Sequence, residues 1–432
     1  NILQTDRVNT VYMRGLSDRN YFSIAGYHFG GLLLTDTPQS ESRVHPIIDW
    51  RYIAGQPVLG GELSWNVNAL SFSRTDAIDN RKTTDINRAI ADVSWRRKLT
   101  DRIGITYTPF ADLRGDIYQF RDVVDPVTGA TIESTTVTRG VASAGMLAAY
   151  PWIASSAGAT HVIEPVGQII GRTARVNQRH LPDEDAKSLV FDDTNLFDLD
   201  KMSGYDRIET GTRANIGLQY TFQANGGAHA RLLAGQSFHL SGDNIFRNPG
   251  LDADGKFIYT PRSGLETDRS DYVAGLYLAP NNNLRAVGQL RLDEQDLSIR
   301  RADIYAGANF GLLTGSAIYS FTASDPTLLI PQNQQDIYAL LGLKLSDRWS
   351  AAASVRYDID AGTRLQDAFQ LRYADECFVL TATYTETFIN DPSRDIVPDR
   401  SVMLRFELKH LGEFRYKTDA LDHVFGENQP PR

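Results

Sequence analysis

Apolar and polar residues alternate through most of the chain, in segments of about ten residues that end in turn residues. From Trp349 to Asp358 the odd-numbered positions are apolar and the even-numbered positions are small or polar. Thr212 to Phe222, Phe378 to Thr385 and Val402 to Lys409 alternate in the same way. Successive side chains of a β-strand point to opposite faces. The pattern therefore predicts strands with one apolar and one polar face, and helical periodicity appears nowhere at convincing length.

The connections between these segments alternate in length, which favours one kind of β-protein. The longer connections fall at 36–42, 75–85, 121–139, 174–209, 241–267, 324–334 and 390–399, with short turns between them. Only two connections on the long side, near Glu294 and near Gly362, are short. In bacterial outer-membrane barrels, short turns face the periplasm and long loops face the outside, whereas soluble sandwiches and propellers have no reason to alternate. We therefore predict an all-β protein, a large antiparallel transmembrane β-barrel of the outer membrane with roughly 19 strands in this chain.

The tryptophans agree with this topology. Aromatic girdles of membrane barrels lie at the membrane interfaces, near strand ends. All five tryptophans lie within about six residues of a turn assigned to the periplasmic side; they are Trp50, Trp65, Trp95, Trp152 and Trp349. A soluble core would explain any one of them but not their shared end.

Composition excludes several functions. The formal net charge of -9 argues against a nucleic-acid partner, because phosphate neutralisation needs clustered lysine and arginine. A single cysteine and eight scattered histidines offer no metal-ligand spacing, and no nucleophile motif occurs. We therefore predict neither an enzyme nor a bound metal or cofactor. A membrane-embedded hydrolase remains an alternative that would need a Ser/His/Asp or Asp/His cluster at the rim.

Strand parity bears on completeness. A single-chain bacterial barrel has an even strand number with both ends in the periplasm. Counted back from the C-terminus, the first strand here begins at the outer end, so further strands are expected before Asn1. We assign residues 1–412 to the C-terminal portion of the barrel and 413–432 to a periplasmic tail.

The loop from Ala174 to Glu209 is the candidate site. It is acidic, and its carboxylates could hold a divalent cation, although the spacing matches no EF-hand and a solvated acidic loop is the simpler interpretation. Its apolar residues are too numerous for a solvated loop, so we expect it to turn inward and help close the outer mouth. The residues expected to do so are Phe191, Phe197, Tyr205, Asp206, Arg207 and Glu209.

The stretch "FDDTNLFDLDKMSGYDRIETGTRANIGLQY" resembles the LptD family of outer-membrane LPS-assembly proteins. The blocks "HVIEPVGQII", "VLGGELSWNVNALSFSRTD", "LRYADECFVLTATYTETF" and "LRFELKHLGEF" resemble the same family in the same order. The resemblance implies a barrel of about 26 strands that inserts lipopolysaccharide into the outer leaflet through a lateral opening. It also implies an LptE-like lipoprotein plug in the lumen, and a periplasmic LPS bridge protein reached through an upstream jelly-roll domain. A passive porin or a gated transporter is the alternative.

Cys377 departs from part of that family, in which some members carry two adjacent cysteines where this chain has Cys377 and Phe378. The resemblance implies a disulfide from Cys377 to a cysteine upstream of Asn1, because the oxidising periplasm favours pairing. An unpaired thiol at a periplasmic turn is the alternative.

Overall fold

The computed structural model describes residues 6–32, 36, 41–74, 85–124, 128–173, 183–185, 189–247, 263–324, 332–391 and 396–409. The regular elements in this part of the chain are 21 strands. They are β1 (Asp6–Ser17), β2 (Asn20–Gly31), β3 (Arg43–Ile53), β4 (Glu62–Ser73), β5 (Asp85–Arg96), β6 (Leu99–Thr100), β7 (Thr106–Val124), β8 (Thr131–Ala149), β9 (Trp152–Ser155), β10 (Ala159–Arg172), β11 (Thr212–Ala224), β12 (His229–Ser241), β13 (Tyr272–Asn281), β14 (Leu284–Leu292), β15 (Ile299–Asn309), β16 (Leu313–Thr322), β17 (Gln334–Lys344), β18 (Trp349–Asp358), β19 (Thr363–Ala374), β20 (Phe378–Thr387) and β21 (Asp399–Leu408). Over the same ranges, no helix has the length and apolar character to cross a membrane.

All 21 strands form one antiparallel sheet, in which each long strand pairs with the next one along the chain. The two short strands continue their predecessors: β6 pairs with β7 beside β5, and β9 pairs with β10 beside β8. Counted as continuous strands, these pairs bring the total to the predicted 19. Proline explains both breaks, since Pro151 separates β8 from β9 and Pro109 lies opposite Arg97. Proline has no N–H to donate to a ladder.

The two faces of the sheet carry the residues that the alternation assigned to them. On β11, the side chain of Asn215 is fully buried, whereas Leu218, three positions later and on the opposite face, is 51% exposed. Ile216 lies on the same exposed face as Leu218. The prediction of strands with an apolar outer face and a polar inner face is confirmed.

The polar face is concave. Tyr205, in the long connection between β10 and β11, hydrogen-bonds Asp49 on β3, and Asp193 of the same connection accepts from Gln289 on β14. Nine strand pairings separate β3 from β14, which is about 43 Å along a flat sheet at the usual spacing. Tyr205 follows Asp193 by only twelve positions along the chain, and the residues between them are coiled into turns. The sheet therefore curls into an open barrel around this connection.

Within the described residues, β1 pairs with β2 alone and β21 with β20 alone, so these two strands are the edges of the sheet. The turns alternate between a short-turn end and a long-loop end, and all five tryptophans lie at the short-turn end. Two of them, Trp50 and Trp65, pack edge to face with ring centroids 6.1 Å apart.

The predicted long loop at 121–139 is wrong, because β7 runs to Val124 and β8 begins at Thr131, which leaves only 125–130 as the connection. The many valines and threonines of this stretch favour extended strands. The last strand ends at Leu408, and the predicted boundary at 412 and tail at 413–432 lie outside the described residues.

Candidate functional site

The connection between β10 and β11 lies on the concave face of the sheet. We call its described residues, 183–185 and 189–211, the inward loop. Phe191, Asp206, Arg207 and Glu209 are buried, and Phe197 and Tyr205 are half-buried. Nine carboxylates and two cations, Lys201 and Arg207, occur in these residues, so the loop is strongly acidic.

An apolar cluster fixes one end of the inward loop. Phe191 and Leu196 are fully buried against Val273 of β13 and against the next long connection; that connection contributes Ile245, Phe246 and Leu265. Leu196 and Phe197 also lie where strands β11 and β12 carry glycine, at Gly217 and Gly235, and a side chain at either glycine would collide with them. The apolar residues that sequence alone made unlikely for a solvated loop thus pack on a second loop and on the sheet.

Arginines hold the other end. Six of them contact the inward loop from the inner face of β5, β7, β8, β10 and β11 and from the end of β4, and we call them the arginine wall: Arg74, Arg88, Arg114, Arg139, Arg172 and Arg213. Arg74 binds both oxygens of Glu184, at 3.1 and 2.7 Å. Arg88 donates to Asp206 at 2.5 Å and to Asp185 at 3.1 Å. Charge-assisted and bidentate contacts of this kind are the strong hydrogen bonds of proteins.

The backbone of Tyr205 and Asp206 is held by the same wall. Arg139 donates to the carbonyl oxygens of both residues, at 2.9 and 2.8 Å, and to the Tyr118 hydroxyl at 3.1 Å. The Asp116 carboxylate lies between Arg114 and Arg139 and accepts from both. The Tyr205 ring stands near the guanidinium groups of Arg88 and Arg114, at 5.3 and 5.7 Å. The arginine wall thus holds the loop through its backbone as well as through its carboxylates.

Glu209 is the centre of a second buried charge cluster. Burial alone would raise the pKa of this carboxyl, but Arg213, Lys201 and Arg172 outweigh burial and lower the pKa to about 2. Arg213 lies 2.9 Å from Glu209 and Arg172 lies 3.6 Å away. Burial and the nearby Glu209 charge raise the pKa of Asp200 to about 6, while burial lowers the pKa of Lys201 to about 8. The neighbouring cations therefore favour the ionised form of Glu209, whereas burial favours the protonated form of Asp200.

Asp183, Asp185 and Asp206 bring three carboxylate oxygens within 4.8 Å of one another. Such a group resembles a cation site, but its oxygens already accept from N–H donors. Asp185 accepts from the backbone of Tyr205 and Asp206 at 2.6 and 2.8 Å, and Arg88 bridges Asp185 and Asp206. This donor set is that of an arginine-bound turn, and a divalent cation prefers oxygen ligands without a guanidinium beside them.

Comparison with known proteins decides the family. The family model described as "LptD: LPS transport system D" matches residues 3–349. The chain belongs to the LptD family. A curated relative, the LPS-assembly protein LptD of Alkalilimnicola ehrlichii, is 25% identical over 336 residues. That match covers 74% of this chain and 40% of the relative, so the chain spans less than half of the relative's length.

Several solved structures are similar in fold to this LptD-family chain. The siderophore receptor PirA of Acinetobacter baumannii has a TM-score of 0.41 at 7% identity, covering 93% of this chain and 70% of that chain. The ferric citrate transporter FecA has a TM-score of 0.39 at 8% identity, with 93% and 67% covered. The copper transporter OprC has a TM-score of 0.38 at 11% identity, with 93% and 71% covered. At these scores the likenesses carry no argument about function.

Cys377 of this LptD-family chain lies in the turn between β19 and β20, at the short-turn end, with an exposed thiol. Its N–H donates to Asp375 at 2.8 Å, so the turn is ordered by that carboxylate. As the single cysteine of the chain, it has no partner for a disulfide within these 432 residues.

The arginine wall was missed by sequence reasoning. Its members are up to 139 positions apart, and only the curl of the sheet brings them together. One sequence signal was available. Arg88, Arg139 and Arg213 occupy inward-facing positions of their strands, and the adjacent inward-facing positions of those strands carry apolar or neutral residues. A lone charge on an inner face needs a partner. The acidic loop supplies one for Arg88 and Arg213, whereas Arg139 also has Asp116 directly opposite on β7.

Proposed function

We propose that this chain is the barrel portion of a lipopolysaccharide translocon, which transports lipopolysaccharide and inserts it into the outer leaflet of the outer membrane. The family match over residues 3–349 carries this proposal. The concave polar surface suits it, because the substrate has a sugar and phosphate portion that needs a hydrated path. The exposed apolar residues of the outer face, such as Leu218 and Leu404, suit contact with lipid acyl chains.

The proposal includes two partners. The hydrogen bonds and ion pairs of the inward loop reach from β3 to β14, and the concave face of β15–β21 lies beyond them. We call that face the bare wall, and we assign it to an LptE-like lipoprotein plug. The periplasmic LPS bridge protein would dock on residues upstream of Asn1.

The inward loop has a separate role in the proposal, as part of the seal at the long-loop end of the barrel. Its apolar cluster and its contacts with the arginine wall favour a closed position. Deleting 183–201 should leave a folded but leaky barrel, and entry of large antibiotics into cells measures the leak. Permeability equal to that of the parent at equal abundance would remove the loop from the seal.

Complementation in cells tests the transport function. The full-length protein should restore growth and surface lipopolysaccharide, detected by a surface-restricted label, when the resident LptD is depleted. Lipopolysaccharide that stays in the periplasm despite normal barrel abundance would contradict the proposal. A porin would instead give steady ion conductance in planar bilayers without restoring surface lipopolysaccharide.

A further inference from the structure

The arginine wall presents a recognition surface that the inward loop covers. Its six guanidinium groups come from six successive stretches of the sheet, and each of them contacts a carboxylate or a carbonyl oxygen of the inward loop. Among the acids of the wall itself, Asp116 lies between Arg114 and Arg139. With the loop withdrawn, the cations of this surface would outnumber the carboxylates they contact on the strands.

Guanidinium groups do not distinguish strongly between carboxylate and phosphate oxygens, because the planar N–H fork fits both in a bidentate manner. Arg74 already binds Glu184 through two parallel hydrogen bonds. Arg88 bridges two carboxylates, Asp185 and Asp206, as it could bridge two oxygens of one phosphate group. The loop therefore occupies the wall with the same geometry that a phosphate-bearing ligand would use.

From this arrangement we infer that the arginine wall is a phosphate-binding surface, and that the carboxylates of the inward loop occupy it in place of the ligand. The loop and a phosphate group compete for the same guanidinium groups, so each binds only when the other has left. The inference deepens the proposed function, on which it rests for the identity of the phosphate-bearing lipid. It places the phosphorylated portion of the substrate on the concave face from the end of β4 to β11.

The Arg74–Glu184 pair separates competition from a structural role. Both side chains are 19% exposed, so either can be neutralised without leaving a deeply buried charge. If the pair only stabilises the closed loop, Arg74→Gln and Glu184→Gln change ligand binding in the same direction. If the loop competes with the ligand, Glu184→Gln tightens binding because a competitor is lost, and Arg74→Gln weakens binding because a ligand contact is lost.

The experiment measures binding of fluorescent lipid A and of phosphatidylglycerol to the full-length protein in uncharged detergent, with inorganic phosphate as a competitor. We expect Kd to fall about threefold for Glu184→Gln and to rise about threefold or more for Arg74→Gln, the size of one charge-assisted contact partly exposed to water. Arg247→Gln, in an exposed ion pair with Asp268 outside both walls, is the control and should leave Kd unchanged. The lipid for which the two variants change Kd in opposite directions is the one whose phosphate group binds the arginine wall. The inference would be overturned if the two variants changed Kd in the same direction for both lipids, or if inorganic phosphate did not compete with the lipid.

A reversible tether gives a second measurement. The Asp193 carboxylate lies so close to Gly275 of β13 that a side chain there would collide with it, which puts a cysteine pair at these positions within bridging reach. With the native cysteines replaced by serine, Asp193→Cys with Gly275→Cys should bind lipid A at least tenfold more weakly when oxidised than after reduction. Equal Kd in the two redox states overturns the inference. Surface lipopolysaccharide is scored separately, so normal export without these binding effects rejects the phosphate surface and leaves the proposed function standing.

Discussion

The arginine wall and the bare wall are built from the same alternation but differ in how their charges are solvated. Arg139, on the arginine wall, is 2% exposed and bonds both Asp116 and the inward loop. Arg356, on the bare wall, pairs with Asp336 while 32% of its side chain remains exposed. On β20, two strands further along the sheet, three successive inner positions are threonines, Thr381, Thr383 and Thr385. A period of two therefore fixes which face a residue occupies, while the covering loop decides whether its charge is buried.

The largest expected effect contrasts these two arginines. Arg139→Ala leaves the buried Asp116 carboxylate without one of its partners, and breaking a buried pair in this way costs about 3–5 kcal/mol. Arg356→Ala should cost less than about 1 kcal/mol, because solvent screens its pair. Urea unfolding in lipid vesicles, followed by tryptophan fluorescence, measures both. Equal costs would mean that the inward loop does not change the electrostatics of the wall beneath it.

The second effect concerns the outer face, where the two walls should behave alike. Leu218→Arg places a charge among lipid chains near mid-strand and should cost about 2–4 kcal/mol. Gln219→Arg, one position later on the inner face, should be mild because Glu164 lies within hydrogen-bond reach of Gln219. The same unfolding titration decides, and similar losses for both would contradict the facing seen on β11.

These faces could be predicted from sequence because alternation is a local property of each strand. The prediction that Leu218 and Ile216 face outward and Asn215 faces inward needed no knowledge of distant residues. The strand breaks at Pro109 and Pro151 were also encoded locally, in the missing N–H of proline, although they were not predicted. The partners of the inward loop were different. Asp206 meets Arg88 across 118 positions, and such a contact depends on how strongly the sheet curls.

The third effect is a pH dependence confined to the loop side. The folded pKa of Asp200 is about 6, above the usual range of an aspartate carboxyl, so its buried charge destabilises the fold above pH 6 and this penalty disappears as pH falls towards 4. Asp200→Asn should therefore stabilise residues 200–209 by about 1–3 kcal/mol at pH 7. Hydrogen exchange of these amides, corrected for its intrinsic pH dependence, is the measurement.

The control for this prediction is Asp268→Asn, in an exposed ion pair with Arg247, which should leave exchange unchanged at both pH values. Glu209 titrates in the opposite sense, because a folded pKa of about 2 stabilises the fold above pH 4.5 and loses that contribution below it. Asp200→Asn retains Glu209, so the variant should still lose stability below pH 4.5. An advantage of Asp200→Asn that persists unchanged at pH 4 would show that its effect is not electrostatic.

The smallest effect lies at the short-turn end of the bare wall, where the accessibility of the Cys377 thiol shows whether this end of the wall is covered. Within this chain the thiol is exposed and the turn is held by Asp375, so Cys377→Ser should change the unfolding free energy by no more than about 0.5 kcal/mol.

We propose that in the full-length protein this thiol forms a disulfide with an upstream cysteine. The full-length protein should then resist maleimide until it is reduced, whereas the 432-residue chain should react at once. Labelling of the unreduced full-length protein at the rate of the isolated chain would assign Cys377 to an open periplasmic turn. Protection that persists after reduction would instead point to a plug seated over this end of the bare wall, and removing the lipoprotein partner would then restore labelling.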